Sequence, residues 1–212
     1  MYSPQFYNSS NPVSIVRGFC KNLLPDGIII GMCRIILGGS GGQGIVTLSK
    51  FLAIAGMNEG RAISCYPIYG AEMRGGYTFA TVIISGTEIP SPIVSEADLG
   101  IFLDQFAYEY LGKMVMKKGV IAINADLIKP KAEKRRLFPI LADAIARKVG
   151  DQRAANMVVA GYLARRAEEY PNLIHPFPAL KSLKEALPSV LRGKPDAVTL
   201  SEKALLSGYQ AT

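Results

Sequence analysis

The sequence predicts an α/β fold in which helices are layered on a mostly parallel sheet. Three observations support this prediction. Short, almost entirely apolar runs recur along the chain, as expected of strands buried on both faces. Segments with apolar residues at helical spacing separate these runs. A glycine-rich stretch, "GGSGGQG" at residues 38–44, follows the first run and opens the first helical segment, which gives the order strand, loop, helix.

The first strand, glycine loop and helix are followed by a second strand. "MCRIILG" is the first strand, and the next segment places Ile45, Leu48, Leu52 and Ala55 at helical spacing. "AISCYP" then predicts a strand that Pro67 closes. Residues 34–67 therefore have the order and length of one βαβ unit, which predicts parallel strands joined by a right-handed crossover.

Further strands and helices alternate in the rest of the chain. The predicted strands are "YTFATVIISG" at 77–86, "LGIFLD" at 99–104 and "GVIAIN" at 119–124. The predicted helices are "QFAYEYLGKMV", "LFPILADAIARKVG", "QRAANMVVAGYLARRAEE" and "ALKSLKEAL". This alternation predicts one globular domain over residues 32–190. Residues 1–31 are polar and rich in proline and are assigned to an N-terminal extension, and residues 191–212 to a C-terminal tail.

Composition excludes several classes of protein. No apolar run approaches the ~18 residues of a membrane span, and no signal peptide is recognised, so we expect a cytoplasmic protein without membrane contact. Cys20, Cys33 and Cys65 are isolated and cannot build an iron–sulfur or zinc site alone, and the single His175 in "HPFP" has no assigned role. The basic run at 129–136 has no interleaved aromatic residues, so we expect a solvated helix start or a subunit-facing patch rather than a nucleic-acid site.

The glycine loop is the first stretch that can bind a ligand. Gly39, Gly41 and Gly44 satisfy GxGxxG between a strand and a helix, where backbone N–H groups suit an anion. The second strand ends without the acidic residue of a dinucleotide site, and no P-loop lysine follows Gly44. The glycines therefore either bind a polar or anionic group or only permit a tight turn. Gln43, at the helix start with its amide expected to be free, favours a ligand or partner contact.

A second loop, "YPIYGAEMRGGYTFA" at residues 66–80, presents Tyr69, Glu72 and Arg74 between two predicted strands. Arg74 could bind a carboxylate or phosphate through both guanidinium arms, or it could form a surface ion pair with Glu72. A third loop, "EIPSPIVSEAD", could bring Ser91, Pro92 and Asp98 to the rim of the same crevice. No catalytic triad, paired-carboxylate site or metal-ligand cluster is recognisable, so the chain lacks its own catalytic residues.

Four stretches together resemble, in order and spacing, the gamma subunit of 2-oxoacid:ferredoxin oxidoreductases. They are "GGSGGQG", "YPIYGAEMRGG", "VIISG" followed by "IPSP", and "EADLGIFLD". "AANMVVAGYLARR" is similar to a helix of the same family, and the resemblance covers residues 34–187. It implies a Rossmann-like, doubly wound domain with helices on both faces of the sheet.

The resemblance also implies a function. Such complexes decarboxylate a 2-oxoacid on thiamine diphosphate, pass electrons through iron–sulfur clusters to ferredoxin, and transfer the acyl group to coenzyme A. Thiamine diphosphate, Mg²⁺ and the clusters then belong to partner subunits, namely the alpha and beta thiamine-binding subunits and a ferredoxin-like subunit, and this chain alone binds no cofactor. The resemblance also implies which residues face substrate or coenzyme A. They are Gly41, Gly42, Gln43, Gly44, Tyr69, Gly70, Glu72, Arg74, Gly75 and Gly76.

The substrate is less well defined than the family. "YGAEMRGG" resembles forms that act on 2-oxoglutarate or on branched-chain or aromatic 2-oxoacids rather than on pyruvate. Two other classes of function stay open at this point. One is a free-standing nicotinamide-dependent reductase, and the other is a nucleotide-binding regulatory module that has no enzyme partner.

Overall fold

The computed structural model describes residues 15–16, 31–69, 76–130 and 133–211. Its seven strands form one mixed sheet. The strands are β1 (Ile15–Val16), β2 (Met32–Ser40), β3 (Ala62–Tyr69), β4 (Tyr77–Ser85), β5 (Ala97–Phe102), β6 (Val115–Asn124) and β7 (Arg136–Ile140). The helices are α1 (Ile45–Asn58), α2 (Gln105–Leu111), α3 (Ala142–Val149), α4 (Ala155–Glu169), α5 (Leu180–Val190) and α6 (Pro195–Tyr209).

The strand order is β1-β3-β4-β2-β5-β6-β7. β2, β5, β6 and β7 pair in parallel, whereas β4 pairs antiparallel with both β2 and β3. Since both are antiparallel to β4, β2 and β3 run in the same direction, as the predicted βαβ unit requires, but they are not hydrogen-bonded to each other. β1 is antiparallel to β3, so five of the seven strands share one direction and the sheet is mostly parallel.

Helices cover both faces of the sheet, but unequally. The larger core joins one face, including Ile35 and Leu37 of β2, to α1 and to the helices that follow β7. The smaller core lies on the opposite face beneath α2 and includes Ile36 of β2 and Leu111 of α2. Odd and even residues of β2 thus point to different cores, which explains why Ile35, Ile36 and Leu37 are all apolar. The predicted α/β architecture is confirmed.

The predicted helix at residues 137–150 is wrong in its first half. Residues Arg136–Ile140 form β7, which pairs in parallel with β6, and the helix begins only at Ala142. Phe138 and Ile140 are buried while Pro139 is exposed, which is the alternation of a strand with one covered face. β7 is an edge strand, where a proline that cannot donate to a ladder is tolerated.

The basic run at 129–136 is not a helix start in its described part. Residues 129–130 and 133–135 lie in a loop, and Arg136 begins β7. Arg135 donates to Glu133 Oε2 over 2.6 Å and also to the carbonyls of Gly112 and Val115. One cation of the run therefore holds the loop against the end of α2 rather than facing solvent.

The stretch assigned to a C-terminal tail contains α6, whose Ala204 and Leu205 are buried in the larger core. α6 approaches α4 closely because each helix presents a glycine to the other. A Cβ atom at Gly161 would lie 1.9 Å from the Leu205 carbonyl oxygen, and one at Gly208 would lie 1.9 Å from that of Val158. No helix within the described parts of the chain is both long and apolar enough to cross a membrane.

Candidate functional site

A crevice opens at the carboxyl ends of β2, β5 and β6. The helix that follows β2 lies on one face of the sheet and the helix that follows β5 lies on the other, so this is the point where the chain connections change face. Ligands of doubly wound folds bind at such points. The crevice has a volume of about 300 Å³. Its walls are Gly42, Gln43, Leu103, Asn124, Leu127, Asp143, Gln152, Arg153 and Ala155.

The glycine loop forms one wall of the crevice. Two of its residues adopt backbone conformations that favour glycine. Gly42 has a φ of 93° and Gly44, which caps the start of α1, has a φ of 74°. A Cβ atom at Gly44 would lie 2.3 Å from Asn156 Nδ2, whereas nothing lies within 4 Å of one at Gly42. Asn156 Nδ2 also donates to the Gly44 carbonyl over 3.2 Å. The start of α4 therefore holds the glycine loop in place.

The side chain of Gln43 is not free, which corrects the expectation from the sequence. Its Oε1 accepts a hydrogen bond from the Ser40 amide over 2.7 Å, and its Nε2 donates to the Leu103 carbonyl over 3.2 Å. The Leu103 carbonyl lies just beyond β5, 60 positions along the chain, so the sequence near Gln43 gives no sign of it. Gln43 joins the loop after β2 to the end of β5 while still lining the crevice.

Asp104 provides a second connection beside the crevice that the sequence analysis missed. Its Oδ1 accepts from the Ala107 amide over 2.7 Å and so caps α2, and its Oδ2 accepts from Ser40 Oγ over 2.5 Å. An aspartate between an apolar strand and a helical pattern is a recognisable N-cap signal, so this residue could have been found. Its bond to Ser40 fixes the start of α2 to the end of β2.

A buried polar network at the inner end of the crevice was also missed. Asn124 Nδ2 donates to Asp143 Oδ1 over 2.8 Å, and Gln152 Nε2 donates to Asp143 Oδ2 over 2.7 Å. Asp143 is 5% exposed and lies in the first turn of α3, where the helix dipole favours a carboxylate. The only sequence signal was an asparagine that ends an apolar strand, "GVIAIN".

Arg153 is the one cation that lines the crevice within the described chain. It is paired with Asp151, whose carboxylate oxygen Oδ2 lies 2.6 Å from Arg153 Nη2. This hydrogen bond lowers the pKa of the Asp151 carboxyl group. The Arg153 side chain is 86% exposed, so it can turn toward an anion in the crevice without loss of a buried contact. The crevice thus offers amides, one buried carboxylate and one exposed guanidinium that is paired with Asp151.

The second predicted loop is described only at its two ends. Tyr69 is the last residue of β3, and the Gly76 carbonyl accepts a hydrogen bond from the Gly41 amide over 2.9 Å. Both ends therefore lie at the same sheet edge as the glycine loop. Gly70, Glu72, Arg74 and Gly75 lie outside the described residues, so their predicted ligand contacts stay predictions.

The third predicted loop does not reach the crevice, because β4 runs antiparallel to β2 and therefore ends at the opposite sheet edge. Ser91 forms a hydrogen bond with the Ile93 amide, and Pro92 lines a separate cavity of about 390 Å³ with residues of β3. Asp98 binds the side chain of Arg34, with 2.9 Å between Oδ2 and Nε.

The described residues contain no cluster of three or more potential metal ligands. Cys33 is buried in the larger core, and this burial raises the pKa of its thiol well above the ordinary range. Cys65 is half-buried and its thiol pKa is also raised by burial. Neither thiol has the electropositive, accessible surroundings of a reactive cysteine.

The fold places the crevice at a topological switch point beside a glycine loop, which is the position of the ligand site in doubly wound α/β domains. A family model described as "Pyruvate ferredoxin/flavodoxin oxidoreductase" matches residues 34–211. The chain therefore belongs to this family, as its sequence motifs predict.

Relatives from archaea agree with this assignment. Ketoisovalerate oxidoreductase subunit VorA of Methanothermobacter thermautotrophicus is 36% identical over 130 residues, which are 61% of this chain and 27% of VorA. The chain thus spans about a quarter of the length of that relative. Indolepyruvate oxidoreductase subunit IorB of Archaeoglobus fulgidus is 28% identical over 198 residues, covering 83% of this chain and 93% of IorB.

A solved structure shares the fold. It is 2-oxoglutarate:ferredoxin oxidoreductase from Magnetococcus marinus with 2-oxoglutarate, coenzyme A and succinyl-CoA bound. The TM-score is 0.71 at 22% sequence identity, and the match covers 84% of this chain but 30% of the solved chain. The same fold therefore occurs as part of a much longer polypeptide.

Proposed function

We propose that this chain is the gamma-type subunit of a 2-oxoacid:ferredoxin oxidoreductase complex. The complex decarboxylates a 2-oxoacid oxidatively, forms an acyl-CoA and reduces ferredoxin. The observation that carries this proposal is the family match over residues 34–211, which includes both the glycine loop and the segment with Arg74. The names of the relatives, all oxidoreductase subunits or enzymes that act on 2-oxoacids, support it.

The crevice explains how this chain can contribute without catalytic residues of its own. Thiamine diphosphate, Mg²⁺ and the iron–sulfur clusters are held by partner subunits in this proposal, and they supply the decarboxylation and the electron transfer. The role left to this chain is to bind and orient a polar or anionic group. The amides of Ser40, Gly41 and Gln43 are bonded within the protein, so the remaining amides of the glycine loop, together with Arg153 and Arg74, are the groups that suit a phosphate or a carboxylate.

We propose coenzyme A or the 2-oxoacid as the ligand that this edge of the domain faces. Gly41, Gly42, Gln43 and Gly44 would contact it from the loop after β2, and Tyr69, Gly70, Glu72, Arg74, Gly75 and Gly76 from the loop after β3. The hydrogen bond between Gly41 and Gly76 supports this grouping, because it joins the two loops at one sheet edge. Gln43 then acts mainly as a brace that shapes the loop.

The names of the relatives do not separate the 2-oxoacids, because they include ketoisovalerate, indolepyruvate, 2-oxoglutarate and pyruvate. Ketoisovalerate is a branched-chain 2-oxoacid, indolepyruvate an aromatic one, and 2-oxoglutarate is the substrate in the solved structure. The preference for these three substrate classes over pyruvate therefore rests on the resemblance of "YGAEMRGG" alone, and we propose it on that ground. Free cysteines and iron–sulfur partners fit the reducing cytoplasm, where ferredoxin would accept the electrons.

Isolation of the native chain tests the proposal. We expect it to co-purify with thiamine-binding alpha and beta subunits and a ferredoxin-like subunit, identified by mass spectrometry and by the absorption of their clusters. A chain that purifies alone and binds a nicotinamide dinucleotide or another nucleotide with saturation would contradict the proposal and favour a free-standing module.

A further inference from the structure

One part of the sheet lacks a covering layer within the described chain. The smaller core places α2 over β2 and, through Phe106 and Tyr110, over the start of β4. The loop after β4 packs Ile89 and Val94 on the same side, whereas no helix of the described chain covers β3 there. On the opposite side, the same two strands are covered by α1. Sheets of α/β proteins are normally covered on both faces, so this half-covered surface needs an explanation.

The uncovered surface is apolar and continuous. Its exposed side chains are Ile68, Tyr77, Ile93, Phe106 and Tyr110, and the partly covered Phe79 lies among them. We call these six residues the apolar face. Large exposed apolar patches on a protein surface mark interaction sites, in contrast to single exposed apolar residues.

Ring contacts connect one half of the apolar face. The rings of Tyr77 and Phe106 stack with centroids 3.7 Å apart, and Phe106 stacks on Tyr110 at 5.6 Å. Tyr110 stacks on Phe79 at 5.9 Å. These stacks hold flat aromatic surfaces in fixed positions, so little conformational entropy is lost when a partner covers them.

A cavity connects the other half. Ile68, which pairs with Phe79 across the ladder, lines the cavity of about 390 Å³ together with Ile93 and Pro92. The walls are mainly apolar, and the opening lies beside the exposed Ile93. A cavity of this kind suits an apolar side chain inserted by a partner, which is the usual arrangement at the energetic centre of an interface.

We propose that the apolar face is the surface on which this chain docks to the thiamine-binding subunits of its complex, with one apolar partner side chain in the cavity. This inference rests on the proposed function and adds the location of the interface. In the longer relatives, the matched region is 27% of VorA and 30% of the solved chain, so this fold is covalently joined there to a larger remainder. A separate subunit with the same fold must instead be held in its complex by a noncovalent surface.

The position of the apolar face in the fold also favours the thiamine-binding subunits as its partner. Tyr77 pairs with Ser40 in the ladder between β4 and β2, and it directly follows Gly76, which is bound to the glycine loop. A subunit on the apolar face would therefore border the crevice. Docking there would bring the partner's cofactor chemistry to the ligand that the glycine loop orients.

Matched lysine substitutions test this interface. Phe106→Lys and Ile93→Lys place a charge on the apolar face, while Met57→Lys places the same charge at the end of α1. Phe106 and Met57 are each 40% exposed, so the two changes differ mainly in location. Ile93 is 78% exposed in a loop, so its variant folds even if Phe106→Lys does not. The affinity of each tagged chain is measured by titration with the other subunits of the native complex.

We expect Phe106→Lys and Ile93→Lys to raise the dissociation constant at least about tenfold and Met57→Lys to leave it unchanged. Equal affinities for all chains would overturn the assignment of the interface while the proposed function stands. Failure of the unaltered chain to bind would overturn both.

Two other occupants of the face give different results. If the face joins two copies of this chain, the isolated protein is a dimer by light scattering and Ile93→Lys makes it monomeric. If residues 1–14 cover the face, radical footprinting labels Phe106 and Tyr110 only after deletion of residues 1–31. Either result would overturn the proposal.

Discussion

The backbone amide of Gly41 donates a hydrogen bond of 2.9 Å to the carbonyl of Gly76. The two residues belong to different motifs, the glycine loop after β2 and the "YGAEMRGG" segment that ends at β4. Their contact joins at one sheet edge two stretches that are 35 positions apart (76 − 41 = 35). The following predictions test what each part of this edge contributes.

Gly44 should tolerate alanine less well than Gly42. Both residues have positive φ, and a left-handed conformation costs a side chain roughly 1–2 kcal/mol. Only at Gly44 does an added Cβ atom collide with Asn156, which adds overpacking to give a total of roughly 2–5 kcal/mol. The free energy of unfolding of Gly44→Ala and Gly42→Ala, measured with urea, should therefore differ by more than about 1 kcal/mol. Equal values would show that the start of α4 yields to the new methyl group.

Gln43→Glu should destabilise the chain because a carboxylate cannot donate to the Leu103 carbonyl. The loss of this half-buried hydrogen bond should reduce the free energy of unfolding by about 1–2 kcal/mol. Gln210→Glu, at an exposed position after α6, is the control and should stay within about 0.5 kcal/mol of the unaltered protein. If both variants unfold at the same urea concentration, Gln43 does not brace the loop.

Glu133 should make stability depend on acid pH. Its hydrogen bond with the Arg135 guanidinium lowers the pKa of the carboxyl group from 4.5 to about 2. Because the pKa is lower in the folded state, the pair stabilises the fold above pH 4.5, and this contribution is lost as the pH falls toward 2.

Glu133→Gln should therefore flatten the curve of unfolding free energy against pH between pH 5 and pH 2. Glu185→Gln removes an exposed carboxylate from α5 and should leave the shape of that curve as it is. A curve for Glu133→Gln that stays parallel to that of the unaltered protein would disprove the role of this ion pair.

Arg74→Ala should weaken ligand binding without an effect on folding, if the guanidinium contacts a carboxylate or phosphate. A charge-assisted hydrogen bond contributes roughly 1.5–3 kcal/mol, which corresponds to about tenfold to a hundredfold in apparent affinity. Arg74→Lys should rescue little because an ammonium group lacks the planar fork. Steady-state kinetics of the assembled complex, with 2-oxoacid and coenzyme A varied separately, show which ligand is affected. Unchanged Michaelis constants in a complex that dissociates more readily would make Arg74 an interface residue.

Residues 1–31 should be dispensable for solubility and assembly, because they precede the first central strand and show no periodic apolar face. The structure gives this prediction a sharper test, since Ile15 and Val16 form the edge strand β1, which pairs with β3. A chain that starts at Met32 should remain soluble and bind its partners as the full chain does. Loss of soluble protein would show that the pairing of β1 is required.

The sequence predicted the strands of the centre of the sheet because burial on both faces makes their inner parts continuous apolar runs, as at residues 35–37 and 120–123. It could not predict that β4 lies between β2 and β3, since strand order depends on contacts between distant segments. β7 was missed because a five-residue strand that contains Pro139 looks like the first turn of the next helix.

For the site, local pattern was sufficient for the glycine loop but not for its supports. Gly44 is recognisable from the motif, whereas the contacts of Gln43 with Leu103 and of Asn124 with Asp143 join residues 60 and 19 positions apart. The third loop was predicted at the wrong sheet edge because the direction of β4 depends on contacts between distant segments. The direction of that strand decides which sheet edge Ser91 and Pro92 reach.

The most direct test of the central claim is the activity of the complex with and without this chain. The co-purifying subunits are assayed for 2-oxoacid-dependent and coenzyme A-dependent reduction of a viologen dye, first alone and then after addition of the purified chain. We expect little activity from either component and full activity from the mixture. Equal activity of the partner subunits without this chain would contradict its assignment as a working subunit of the oxidoreductase.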